Sequence, residues 1–270
     1  MNNRPLSGDD IIPRRVLHGR GEAIFTALPA SVRANFLKPR SENALLWNLI
    51  YPLCQPSVDL SKLLSIRPLW GTRQPAERLQ DALVPYFWGF GVDGCRLEGL
   101  EEALMRVDGP GPKTEIDLIL LGRRHLLAIE TKHTGGLGVC GRYQRGRCPE
   151  AHAAQEDPSE RCRYWSEPGA KFAEDLALEP RPEPDGPRPA CFRHYQMART
   201  LKVTLALAEI LDLQPWIWLI LPRSRWRSLE KQWLDFSERV RDPALWRRLR
   251  VLDWEALQAL NSRLGPMHNS

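Results

Sequence analysis

Thr114-Glu115-Ile116-Asp117-Leu118-Ile119-Leu120-Leu121, then Gly122-Arg123-Arg124-His125, then Leu126-Leu127-Ala128-Ile129-Glu130-Thr131-Lys132: this stretch decides the fold. Two short apolar runs flank a link of one glycine and two arginines, the pattern of two strands joined by a tight turn. With Arg123-Arg124 as a two-residue loop, Asp117 faces Glu130 and Glu115 faces Lys132. Side chains alternate faces along a strand, so all four project from one side of the sheet. Opposed Cβ atoms lie about 5 Å apart, a span that one divalent cation bridges with carboxylate oxygens. A slip of one residue would scatter the set, so the reading depends on this register.

Charge set in apolar sequence is costly unless it is paired or holds a metal. Two carboxylates and an ammonium in one place suit phosphodiester hydrolysis. Asp117 and Glu130 would hold Mg²⁺ or Mn²⁺, which activates a water and stabilises charge on a phosphate oxygen. Lys132 would position or deprotonate that water, or neutralise the crowded phosphorus. Glu115 would tune Lys132 by pairing with it. The plainer alternative is a cross-strand ion pair at a sheet end; an Asp opposite the Glu weighs against it.

Asp117, Glu130 and Lys132, with Pro112 upstream, resemble the signature of the PD-(D/E)XK nuclease superfamily, the restriction-endonuclease-like fold. Ile116 stands where the family's proline commonly precedes the Asp. The resemblance spans residues 42–222 and implies a core of helix, three-stranded meander, helix and strand. It also implies a Glu from the first core helix, for which Glu42 is the candidate, as a third Mg²⁺ ligand. The helix expected at 192–211 would present Gln196 to orient groups at the site and Arg199 to neutralise phosphate, with His194 nearby.

The chain has 270 residues, 43% of them hydrophobic, enough for a full core. Its net charge of +5 is a mild push toward a polyanionic partner. No apolar run approaches the ~18 residues of a membrane span. Met1-Asn2-Asn3-Arg4-Pro5 lacks the apolar stretch of a secretory signal, so a cytoplasmic location with six reduced cysteines is expected.

The fold expected is α/β: a restriction endonuclease-like core with a mixed central sheet flanked by helices. An extension at 1–40, with short helices over 20–37, precedes one domain at 41–270. Helical spacing follows Ser41, with Leu45, Leu46, Leu49 and Ile50 on the inward face beside Glu42. Pro75 to Trp88 reads as a second helix, and Cys95 to Val107 as a short strand or helix. After the meander, 138–190 reads as an irregular insertion whose proline-rich end, Glu179 to Pro189, is an extended linker. A buried strand is expected over 215–222, a helix from Leu229 to Val240, a short strand over 250–254 and a last helix from Glu255 to Leu264.

Cys140, Cys148, Cys162 and Cys191 lie in or beside the insertion, in polar and glycine-rich surroundings. Four thiolates could close a Zn²⁺ site there, and some nuclease relatives carry iron–sulfur clusters. His133, His152 or His194 could replace one ligand. Against this, the gaps hold 7, 13 and 28 residues and form no Cys-x-x-Cys knuckle, so reduced structural thiols are the competing reading. Trp226, Trp233 and Trp246 interleave with Arg223, Arg225, Arg227, Lys231, Arg247 and Arg248, which suits either a nucleic-acid surface or arginine stems over a core. The function expected is metal-dependent cleavage of DNA, or of RNA, in restriction, repair or defence. Cutting both strands would favour a homodimer. The alternative is a catalytically silent nucleic-acid-binding protein of the same fold.

Overall fold

The central hairpin has the expected register. In the computed structural model, β4 (Leu118–Leu121) and β5 (His125–Thr131) pair Leu118 with Ile129 and Leu121 with Leu126. The Gly122 N–H donates to the His125 carbonyl, so Arg123-Arg124 is the two-residue loop. The structure describes residues 23–36, 38, 41–54, 60–72, 82–152, 162–165, 171–182 and 187–264.

Around this hairpin stands a seven-stranded mixed sheet. Its other strands are β1 (Trp70–Gly71), β2 (Val84–Phe87), β3 (Phe90–Gly91), β6 (Gln214–Leu221) and β7 (Leu249–Asp253), in the order β1-β7-β6-β5-β4-β2-β3. β2, β4 and β5 form an antiparallel meander, and β5, β6 and β7 run parallel. The helices are α1 (Ala23–Ala27), α2 (Ala30–Asn35), α3 (Glu42–Ile50), α4 (Leu100–Asp108), α5 (Gly141–Gln144) and α6 (Phe172–Asp175). They continue with α7 (Ala190–Arg193), α8 (Tyr195–Ile210), α9 (Arg223–Glu238), α10 (Pro243–Trp246) and α11 (Trp254–Leu264).

The period of two along each strand divides the apolar residues between two cores. Ile119, Ala128, Ile217 and Leu219 face α4, α8 and α9. Leu118, Leu127, Ile129, Trp218 and Ile220 face α1, α2, α3 and α11. The molecule is thus a helix–sheet–helix sandwich, and β5 is buried along its whole length. That burial explains its near-continuous apolar sequence. Among the described residues no helix is long and apolar enough to cross a membrane.

Several expectations need correction. Residues 75–81 of the expected second helix lie outside the described residues, and Val84–Phe87 is strand β2. Leu79, Leu83 and Phe87 are spaced by four, an even number that satisfies the strand period as well as the helical one. Within 95–107 the regular element is helix α4. Helix α9 begins at Arg223, six residues before Leu229, so its arginines occupy the first turns of a helix. The insertion is not merely surface: Phe172, Leu176 and Leu178 are fully buried against α8 and α9. Its end turns back through a Pro182–Pro189 bridge, and 183–186 lie outside the described residues. The 23–36 segment also joins the core, with Ile24, Leu28, Val32 and Phe36 buried beside Trp47.

Candidate active site

Asp117 immediately precedes β4, and Glu130 stands one residue before the end of β5. The antiparallel register therefore sets them against each other where the hairpin opens. Residues 132–138 follow, a loop that ends the strand and leads toward the insertion.

Each carboxylate is held by a different element. The Asp117 Oδ2 accepts from the Thr131 N–H at 2.8 Å and from the Thr131 hydroxyl at 2.7 Å. Glu130, with no exposed surface, is gripped from α8: Gln196 Nε2 donates to Oε2 and Thr200 Oγ1 to Oε1, both at 2.8 Å. Gln196 and Thr200 are four residues apart, one helical turn, so both reach the same side chain. Ser41 caps α3, its Oγ accepting from the Ala44 N–H at 3.0 Å. The cap fixes Glu42 in the first turn, where its Oε1 accepts from the His133 N–H at 2.7 Å and the Thr134 N–H at 3.3 Å. Among the described residues, Oδ1 of Asp117 and Oε2 of Glu42 accept no hydrogen bond.

Lys132 is pinned by its backbone: its N–H donates to the Ile220 carbonyl at 2.8 Å, and its carbonyl accepts from Trp254 Nε1 at 3.1 Å. Its ammonium has no hydrogen-bond or ion-pair partner among the described residues, although the residue is 8% exposed.

Electrostatics tie these groups into one cluster. Burial raises the Glu130 carboxyl to about 8, helped by the charge of Asp117 and opposed by Lys132, Thr200 and Gln196. Asp117 is also raised by burial, with Lys132 and the Thr131 hydrogen bonds opposing and Glu42 adding to the rise. Burial is the larger cause of both rises, and the mutual repulsion of the carboxylates adds to it, which a bound cation would relieve.

Glu115 does not pair with Lys132. Its carboxyl is partly covered although the residue as a whole is exposed: that burial, then the charge of Asp117, raises it, and Arg96 lowers it. The regular ladder begins only at Leu118, so Glu115 lies outside it. Arg199 likewise turns away from the cluster. Its Nε and Nη2 donate to the buried Asp108 at 3.2 and 3.1 Å, and its guanidinium lies 5.2 Å from the Tyr195 ring. Asp108 also accepts from Tyr164 Oη and the Thr114 hydroxyl, so this is a structural knot joining α4, α8 and the insertion. His194 is fully buried against Asp235 at 2.8 Å and Phe236, away from the site.

Of the interleaved tryptophans Trp233 is interior, Trp226 half-buried and Trp246 exposed. Trp233 is fully buried and, with Trp246, packs edge-on around Trp70. Of the basic set, Arg223 pairs with Asp253 and Arg225 Nη2 reaches the Thr134 carbonyl at 3.1 Å. Arg225 thereby braces the loop that holds Glu42.

The sequence reading passed over Thr131 and Thr200. Both had a signal: Thr131 separates Glu130 from Lys132, and Thr200 stands one turn after Gln196.

Among the described residues no group of three or more His, Cys, Asp or Glu side chains is arranged to hold a metal ion as it stands. Mg²⁺ asks for less, since it is commonly bound by one or two carboxylates completed by water and substrate phosphate. Asp117 and Glu130 supply that chemistry: hard oxygens, one unbonded, in a crowded anionic site. No family model matches the chain, and no curated protein or solved structure matches it significantly.

Proposed function

We propose that the chain is a divalent-metal-dependent nuclease of the PD-(D/E)XK type, cleaving phosphodiester bonds in DNA. One observation carries the reading. Asp117 and Glu130 meet at the open end of a buried hairpin, beside a Lys132 ammonium whose charge acts on both but which, among the described residues, closes no hydrogen bond or ion pair with either. The order α3, then the β2-β4-β5 meander, then α8, then β6 supports it. An ion pair serving stability alone would have closed on itself; here the lysine is left for something that arrives.

Asp117 and Glu130 would hold Mg²⁺ or Mn²⁺, with the unbonded Oε2 of Glu42 as a third donor. Bound there, the ion would supply Lewis-acid stabilisation of a phosphate oxygen and lower the pKa of water. Thr131 fixes Asp117, and Gln196 with Thr200 fix Glu130, so neither carboxylate needs to reorganise. The Lys132 ammonium orients the attacking water or neutralises charge on the phosphate. The basic first turns of α9, at Arg223, Arg225 and Arg227, adjoin this loop and suit a phosphate backbone.

The test is cleavage of supercoiled plasmid and labelled oligonucleotides with Mg²⁺ or Mn²⁺, comparing wild type with Asp117→Ala and Lys132→Ala. Metal-dependent nicking lost in both variants supports the proposal. Metal-independent DNA binding without cleavage, across several DNA shapes, would replace it with a silent binding protein.

A further inference from the structure

The 138–190 insertion and the adjoining α7 carry four cysteines that the nuclease reading does not use. The Cys140 N–H donates to the Phe192 carbonyl at 3.1 Å, which brings the first cysteine beside Cys191. Tyr143 packs on Phe192 and on His152, with ring centroids 4.7 and 5.1 Å apart. His152 Nδ1 in turn accepts from the Cys148 N–H at 3.2 Å. The Cys162 N–H donates to Glu150 at 3.3 Å, two residues after Cys148. A chain of contacts therefore draws all four into one neighbourhood. Cys191 feels the charge of the other three, and Cys162 that of Cys140 and Cys148.

Burial pushes the Cys162 thiol up to about 11 and the Cys191 thiol up to about 12, with the neighbouring cysteines adding to the rise, and hydrogen-bond donors oppose it. Residues 162–165 form a turn, the Trp165 N–H donating to the Cys162 carbonyl at 2.9 Å, and the Tyr164 N–H hydrogen-bonds the Cys162 sulfur. Trp165 hydrogen-bonds the Cys191 sulfur. Such donors orient a thiolate and stabilise its charge, as partners behind a metal ligand do. No disulfide joins any of the four, and Cys148 and Cys191 are buried, Cys191 at the edge of the apolar core beside α8.

We propose that Cys140, Cys148, Cys162 and Cys191 bind one structural Zn²⁺ that organises the insertion against α8. Among the described residues no three of these groups stand as a ready ligand set, so the site would close only on binding. Binding would deprotonate them and draw the sulfurs to roughly 2.3 Å from the ion. The site is remote in role from the nuclease centre, so its fate can be read without any cleavage assay.

The experiment is metal analysis of the full-length chain purified without chelator, with Co²⁺ substitution as a spectroscopic probe. About one zinc per chain is expected, with the thiolate-to-cobalt charge-transfer bands of a tetrahedral sulfur site in the cobalt form. Cys162→Ser and Cys191→Ser should lose the metal, whereas Cys95→Ser and Asp117→Asn should keep it. To keep the test independent of how a ligand variant folds, wild type is also titrated with a thiol reagent. Zinc should protect four thiols, and a chelator should expose them. Zinc-free protein, thiols equally reactive with and without zinc, or retention of zinc by Cys162→Ser would overturn the proposal. Iron and sulfide in place of zinc would overturn it too, in favour of a cluster.

Discussion

Replacing Glu130 by Gln should change the stability of the metal-free protein in a way that depends on pH. Burial, then the charge of Asp117, raises this carboxyl from 4.5 to about 8, and the residue has no exposed surface to screen it. The folded chain therefore keeps a proton that the unfolded chain has released. The stability this contributes is complete below about pH 4.5 and is lost as pH rises through about 8. Within that window the slope is about 1.4 kcal/mol per pH unit. From about pH 5.5 to about pH 7.5, wild type should lose about 3 kcal/mol relative to Glu130→Gln, which has no proton to release. The amide can keep the contacts, because the Thr200 hydroxyl rotates and the Gln196 amide can flip. Thermal unfolding in EDTA at the two pH values should thus show the Tm gap between variant and wild type shift by roughly 6–12 °C in the variant's favour. A gap that does not move with pH would refute the reasoning about Glu130. Mg²⁺ adds a second arm. At 100 times its Kd it should raise wild-type stability by about 2.7 kcal/mol and leave Glu130→Gln unchanged. Mg²⁺ would also flatten the wild-type pH slope, since it replaces the proton.

Four further outcomes follow from the same geometry. Lys132→Met should fold and bind Mg²⁺ normally yet cleave DNA about 10²–10³-fold more slowly, as for loss of one group that stabilises transition-state charge; unchanged kcat would remove the lysine from the mechanism. Asp108→Ala leaves the Arg199 guanidinium and the Tyr164 hydroxyl without their shared acceptor, and should cost about 3–5 kcal/mol in urea unfolding. If instead Arg199→Lys weakens DNA binding without changing stability, Arg199 contacts phosphate after all. Gly138→Ala should cost about 1–2 kcal/mol for its φ of +67°, and its Cβ would collide with Gln196, freeing Glu130 and weakening Mg²⁺ affinity about 10-fold or more by calorimetry. Ser41→Ala removes the α3 cap, for about 1 kcal/mol by denaturant titration.

What the sequence disclosed and what it withheld have separate physical causes. The hairpin was legible because both strands are apolar and the link admits only a short turn. Once Arg123-Arg124 is the loop, the register follows, and with it the facing of Asp117 and Glu130. Helix α8 was legible because sixteen residues keep one period, whereas Gln196 was named on it from the family resemblance and not from that period. Val84–Phe87 was not, because a spacing of four suits two periods and Pro85 argues against an interior strand. Arg199 was misread for a different reason. Its partner Asp108 lies 91 residues away in the chain, and pairing across that distance leaves no local pattern.

The same distinction explains why the site needs α8. A hairpin alone can align two carboxylates, but it cannot keep a fully buried Glu130 from turning toward the nearest cation, Lys132. Thr200 and Gln196 oppose that by occupying one oxygen each from a second layer. On the proposed reading the crossover between β5 and β6, which carries α8, holds Glu130 apart from the lysine. If Thr200→Val let Glu130 swing onto Lys132, the Glu130 carboxyl would become more acidic as it gains a cation. The wild-type pH slope of metal-free stability would then flatten even though the variant removes a hydrogen bond. A slope that instead steepens, as loss of a donor alone would produce, would mean that α8 merely satisfies Glu130 and does not hold it apart from the lysine.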